Sequence, residues 1–150
     1  MFLLFHTLIL SLLLVIFVID GRTKTIPDSL TIPGLLLAFL GSVFLTHSFT
    51  SSLLGGAVLA GFFGVQYLLS RGKAVGDGDI VLGGLIGVYL GFPLGLLALW
   101  FAYVVGALVL LPRYILHPDK RKETVAFGPF LVLGCFIAFF FGEAVLQLFF

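Results

Sequence analysis

Gly76-Asp77-Gly78-Asp79-Ile80-Val81-Leu82-Gly83-Gly84-Leu85-Ile86-Gly87-Val88-Tyr89-Leu90-Gly91-Phe92-Pro93 is the stretch on which the fold turns. It opens with a glycine-rich acidic turn, runs through a short apolar segment and stops at a Gly-Phe-Pro turn signal. Longer apolar runs lie on both sides of it. An acid at a membrane boundary is costly to keep and is a functional candidate by default. Asp79 is one such acid, and Asp20, which ends the first apolar run, is a second.

The composition demands a membrane. Of 150 residues, 61% are hydrophobic and 10% charged, whereas a soluble domain is about 45–50% apolar and about 25% charged. The first apolar run has no Lys or Arg before it and no small-x-small site after Ile19, so it reads as a retained helix and not a signal peptide. The single Cys135 excludes an internal disulfide and a Cys-x-x-Cys metal site.

Six spans are predicted, at about Phe2–Ile19, Ile32–Leu45, Ser52–Leu69, Ile80–Leu90, Leu94–Leu111 and Phe127–Phe149. The fold class is therefore an all-α, polytopic helical bundle, read as a single membrane-embedded domain over 1–150. The charges support the span count. Arg22 and Lys24 fall in the first linker, Arg71 and Lys73 in the third, and Arg113, Lys120, Arg121 and Lys122 in the fifth. With six spans all eight share one side, which the positive-inside rule makes cytoplasmic, leaving both termini non-cytoplasmic. Asp20, Asp28, Asp77 and Asp79 then face the cytoplasm together.

Gly83, Gly87 and Gly91 follow Asp79 at spacings of four and so share a helix face that a neighbour can approach closely. Gly56, Ala60 and Gly64 form a second small-residue stripe on the third span. Either stripe reads as ordinary membrane-helix packing; the first is also a place for a substrate helix to dock.

Two carboxyls on one side suggest acid-pair hydrolysis. One carboxylate takes a proton from water while the other, protonated, polarises the scissile carbonyl; neighbouring carboxyls cannot both ionise cheaply. Gly21 is placed to end the first helix at Asp20, where the helix dipole disfavours an anion. Asp79 opens the fourth helix, where an anion is favoured. The expectation is that Asp20 carries the shared proton and Asp79 is the base, provided the first helix stops at Asp20. Gly76 and Gly78 are expected to supply unusual backbone angles and room beside Asp79.

These residues resemble a known family. Asp20 followed by Ile26-Pro27-Asp28 and Leu30-Thr31 is similar to the first signature of the type IV prepilin peptidases, Gly76-x-Gly78-Asp79 to their GxGD motif, and Phe127-Gly128-Pro129-Phe130-Leu131 with Gly134 to a segment of their last helix. The resemblance spans nearly the whole chain. It implies an intramembrane aspartic endopeptidase of the bacterial inner membrane that removes the basic leader of prepilins, or of pilin-like subunits of type II secretion, at the cytoplasmic face. It implies the catalytic pair Asp20 and Asp79, with Gly76, Asp77, Gly78, Pro27 and Asp28 in support, and no metal or other cofactor. Many members have Lys where Val81 stands and Pro where Ala126 stands. Larger members add a Cys-x-x-Cys zinc site and N-methylate the new pilin terminus; a chain beginning inside its first span, with one Cys, is expected to cleave without methylating. The presenilin type of GxGD protease is less similar, because Asp20 follows Ile19 and no Pro-Ala-Leu occurs.

Other residues have plainer readings. Asp28 either caps a short helix near Ser29–Ile32 or contacts substrate. Asp77 modulates the pair. Arg22, Lys24, Arg71 and Lys73 either record topology alone or contact lipid or an acidic residue of the substrate. Lys120-Arg121-Lys122 contacts anionic lipid. Glu143 reaches toward the outer interface, with a contact to Gln66 conceivable. His6, His47 and His117 form no metal motif. Nothing suggests a nucleic-acid partner. A small cation channel or proton-relaying transporter is the competing class, and expects acids near mid-membrane and broken helices. An inactive scaffold of a secretion machine is a third.

Overall fold

The computed structural model describes residues 1–46, 49–73, 75–117 and 125–149. Lys120, Arg121, Lys122 and His47 lie outside the described residues. Among the described residues six α-helices follow in order: α1 (Phe2–Thr23), α2 (Asp28–Gly41), α3 (Phe49–Ser70), α4 (Asp77–Leu90), α5 (Leu94–Leu116) and α6 (Gly128–Phe149). A π-helical turn, Ser42–Thr46, extends α2. Every predicted span corresponds to one helix. Among the described residues five segments are long and apolar enough to cross a membrane: α1, α2 with its π turn, α3, α5 and α6. Large apolar side chains such as Leu3, Leu36, Leu68, Leu108 and Phe140 are exposed along these helices. Lipid contact accounts for such surfaces, since helices satisfy their own backbone in a bilayer.

α4 is different. Its 14 residues rise about 21 Å, and eleven of them are buried. A helix apolar all round belongs inside. α4 packs against α3, α2, α5 and α6 and forms the centre of the bundle.

Glycine sets how closely α3 and α4 approach. A Cβ on Gly55 would run into the Gly87 carbonyl oxygen, and one on Gly87 would lie 2.6 Å from the Gly55 carbonyl carbon. Gly83 faces Phe63 in the same way, at 2.6 Å from Cδ2. The stripe after Asp79 is therefore filled by α3 and offers no seat for a substrate helix. The second stripe is displaced from its expected register: Gly55, Gly56, Leu59 and Phe63 are buried, whereas Gly64 faces open space. α5 and α6 close in a similar way, with Gly134 against the backbone of Ala98 and Ala102.

The ends of α4 are tied to neighbours. Gly91 takes a positive φ (70°, with ψ 177°) that favours glycine and closes the helix with its N–H on the Gly87 carbonyl, 2.9 Å. The Ser42 hydroxyl donates to the Tyr89 carbonyl, 3.3 Å, which would otherwise lack a partner at the helix end. Ser51 holds the turn that follows, donating to the Phe92 carbonyl (2.9 Å) and accepting from its N–H (3.1 Å).

Candidate active site

α1 carries Asp20 inward because of where it falls in the helical repeat. The buried residues of α1 are Phe5, Ile9, Leu13, Ile16 and Asp20, at spacings of four, four, three and four that define one face. Asp20 closes this core stripe at 3% exposure. Gly21 does not end the helix. α1 continues to Thr23 and stops at Lys24, which is left-handed (φ 55°) and donates its N–H to the Asp20 carbonyl, 2.8 Å. The condition on the dipole argument for Asp20 thus fails.

Asp79 is the third residue of α4, whose N-cap is Gly76. Its Oδ2 accepts the Gly76 N–H at 3.1 Å, satisfying a donor that a helix start leaves open. Asp79 is 7% exposed, while its neighbour Asp77 is exposed and accepts the Gly78 N–H at 2.9 Å.

Both acids open into one cavity of about 400 Å³. Lys24, Thr25, Ile26, Gly72, Lys73, Val75, Gly76, Asp77, Gly78 and the Val125-Ala126-Phe127 segment complete its wall. Two glycines seat the wall. A Cβ on Gly78 would fall 2.8 Å from the Ile26 Cβ, and one on Gly128 would strike the Asp20 carboxylate. The Gly128 backbone N–H is directed at that carboxylate. The expected role of unusual backbone angles is not observed: Gly76 is extended (φ −77°, ψ 159°) and Gly78 is helical. Gly78 is required for close approach, whereas a Cβ on Gly76 would meet only the Asp79 Oδ2, at an ordinary 3.6 Å.

Asp20 Oδ2 and Asp79 Oδ1 are buried with no hydrogen-bond partner among the described residues. Buried polar atoms are rarely left so, and both belong to residues that line the cavity. Burial is the main cause that pushes the Asp79 carboxyl up, to about 6; the Gly76 N–H opposes this, and the charges of Asp20 and then Asp77 add to it. A carboxyl raised in this way runs against the expectation that Asp79 is the readily ionised member of the pair, despite its place at a helix start.

Of the other expected residues, Lys24 and Lys73 line the cavity. Arg22 and Arg71 are exposed and lie off its wall. Asp28 is the first residue of α2, not its cap; the cap is Pro27, whose carbonyl accepts the N–H groups of Leu30 and Thr31 at 3.0 and 3.1 Å. Neither Pro27 nor Asp28 reaches the cavity wall. Thr25, Val75 and Val125 complete the wall without chemistry that marks them in the sequence. Phe127 is anchored by rings of Tyr103, Phe63 and Phe130 at 4.9, 6.0 and 6.1 Å. Gln66 bonds the Tyr103 hydroxyl, 3.0 Å, in place of the conceived contact with Glu143.

The model of the type IV leader peptidase family matches residues 7–111. A prepilin leader peptidase/N-methyltransferase of Legionella pneumophila is 30% identical, covering 97% of this chain and 52% of its own length. That of Bacillus subtilis (strain 168) is 28% identical over 92% of this chain and 56% of its own. That of Burkholderia pseudomallei (strain K96243) is 36% identical over 87% and 44%. The chain spans about half the length of these relatives. No solved structure gives a significant match.

Proposed function

The chain belongs to the type IV leader peptidase family, and from that premise we propose that it is an aspartic endopeptidase that cuts the basic leader from prepilins or pilin-like secretion subunits. It would work at the cytoplasmic face of the bacterial inner membrane, multi-pass, with Asp20 and Asp79 as the catalytic pair. The observation that carries this is the meeting of two buried carboxyls from α1 and α4 in one cavity, each with an oxygen unpartnered among the described residues. The acids lie at helix ends on one face of the bundle, which favours hydrolysis over a mid-membrane ion path.

The reaction follows from the hydrogen bonds. Asp79 holds the shared proton on Oδ1, since Oδ2 already accepts the Gly76 N–H. That proton is donated to the oxygen of the scissile carbonyl. Asp20, ionised and accepting from the Gly128 N–H, takes a proton from water through Oδ2. The resulting hydroxyl attacks the carbonyl carbon and gives a tetrahedral diol. Asp20 then passes its proton to the leaving nitrogen, Asp79 recovers one from the diol, and the C–N bond breaks. No other reactant is consumed. Lys24 and Lys73 at the mouth favour the anionic base and suit an acidic residue of the substrate.

The test is cleavage of purified prepilins by the purified chain in liposomes, with the new N-terminus sequenced. The expected product begins at the residue after the leader glycine, just before the pilin's hydrophobic helix. A panel of prepilins left intact by well-folded protein would overturn the reading in favour of a transporter or scaffold.

A further inference from the structure

The helices that bear the two acids are held together at their far ends as well. His6 Nδ1 and the Tyr89 hydroxyl form a hydrogen bond of 2.8 Å between α1 and α4. His6 lies 14 residues before Asp20, about 21 Å along α1; Tyr89 lies 10 residues after Asp79, about 15 Å along α4. The two helices run antiparallel, with the acids at one end and this bond at the other. Yet α1 packs mainly on α6 and α2, and α4 on α3 and α2. α2 and α6 touch both helices, and what joins α1 to α4 directly is side chains.

Tyr89 is well placed to serve as the fixed end. It is 1% exposed, its carbonyl accepts from Ser42 at 3.3 Å, and its ring stacks on Phe139 at 5.9 Å. His6 sits among the rings of Phe2, Phe5 and Phe139 at 4.3, 5.3 and 5.1 Å. The bond is part-buried, and His6 and Tyr89 share a small cavity with Glu143 of α6, the titratable group that faces them there.

We propose that His6 and Tyr89 are positioning residues for the peptidase: their hydrogen bond fixes α1 against α4 and so sets the separation of Asp20 from Asp79. The proposal rests on the reading of the acids as a catalytic pair. Loosening the bond lets the carboxyls move apart. The charge of Asp20 then pushes less on Asp79, and the pair loses its proton at lower pH.

The test uses the full chain in liposomes with Tyr89→Phe, which removes one oxygen and keeps the ring. His6→Gln, which keeps a hydrogen-bonding group, is the conservative partner. Tyr89→Phe is expected to lower kcat about fivefold, the worth of one hydrogen bond. KM should stay unchanged and the alkaline limb of the pH profile should move to lower pH. His6→Gln should recover most of kcat. A purely structural role would lower the amount of folded protein and leave the limb where it was. Spin labels at Arg22 and Asp77, in a Cys135→Ala background, report the gap directly, and Tyr89→Phe should broaden their distance distribution. An unchanged distribution with unchanged kcat and limb would overturn the proposal, as would a rise in KM alone. If the unsubstituted chain cleaves no prepilin, the peptidase reading fails by itself; the spin labels then decide, a broadened distribution supporting the tie and an unchanged one overturning it.

Discussion

Asp79 combines a helix-start position, which favours an anion, with burial and two acidic neighbours, which favour the proton; the second group of effects prevails and the carboxyl reaches about 6. A raised carboxyl stays protonated below that value and ionises above it. A pair that needs one proton is therefore lost as pH rises through about 6, and the alkaline limb of kcat/KM, which reports the free enzyme, is expected there. Asp77→Asn removes a negative neighbour, makes ionisation easier and is expected to move this limb to lower pH by a few tenths, on the order of a single exposed charge. Gly128→Ala is a second residue-scale case. Its methyl would strike the Asp20 carboxylate, and cleavage is expected to fall by about 100-fold, the cost of a misplaced reacting group. Initial-rate assays on folded protein check both. The acids themselves were legible in the sequence because membranes so seldom keep them. Their surroundings were not, since these depend on how far α1 runs past Asp20 and on the depth of Asp79, neither of which Gly21 or the Gly-Asp-Gly-Asp turn reveals.

At the scale of helices, the α3–α4 contact separates two kinds of glycine. Gly55 and Gly87 touch through their backbones, whereas Gly61 and Gly64 face open space. Gly55→Val and Gly87→Val are expected to destabilise the bundle by about 1–3 kcal/mol through overpacking. Gly61→Ala and Gly64→Ala should cost nothing, because alanine is the better helix former. Melting in detergent followed by circular dichroism checks the contrast. All six helices were legible from apolar run lengths and from breaks such as Gly91-Phe92-Pro93. Their pairing was not. Spacing marks a smooth face on α4 but not its partner, so the face filled by Phe63 and Gly55 resembled an empty docking seat. The wall residue Ile26 was hidden for a related reason: an isoleucine shows its function only through what it touches, here Gly78 and Gly128.

For the whole molecule, the arrangement places a polar cavity at one end of an otherwise apolar bundle. Lys24 and Lys73 lie at its mouth and the His6–Tyr89 bond lies at the opposite end of the same helices. We take the cavity end to be cytoplasmic, as the grouping of all eight Lys and Arg in three linkers suggests. Single cysteines at Lys73 and at Ser51, in a Cys135→Ala background, should then react with an impermeant thiol reagent from the cytoplasmic and the outer side respectively. The reverse pattern would invert the orientation and detach the site from the cytoplasm.

If Asp20 and Asp79 act as one unit, a cycle of kcat/KM for Asp20→Asn, Asp79→Asn and the double variant against a single prepilin reveals it. Groups that act as a unit lose activity together, so all three variants are expected at the same floor, with the second substitution adding nothing to the first. Measurable cleavage by either single variant, or losses that multiply in the double, would contradict the pair.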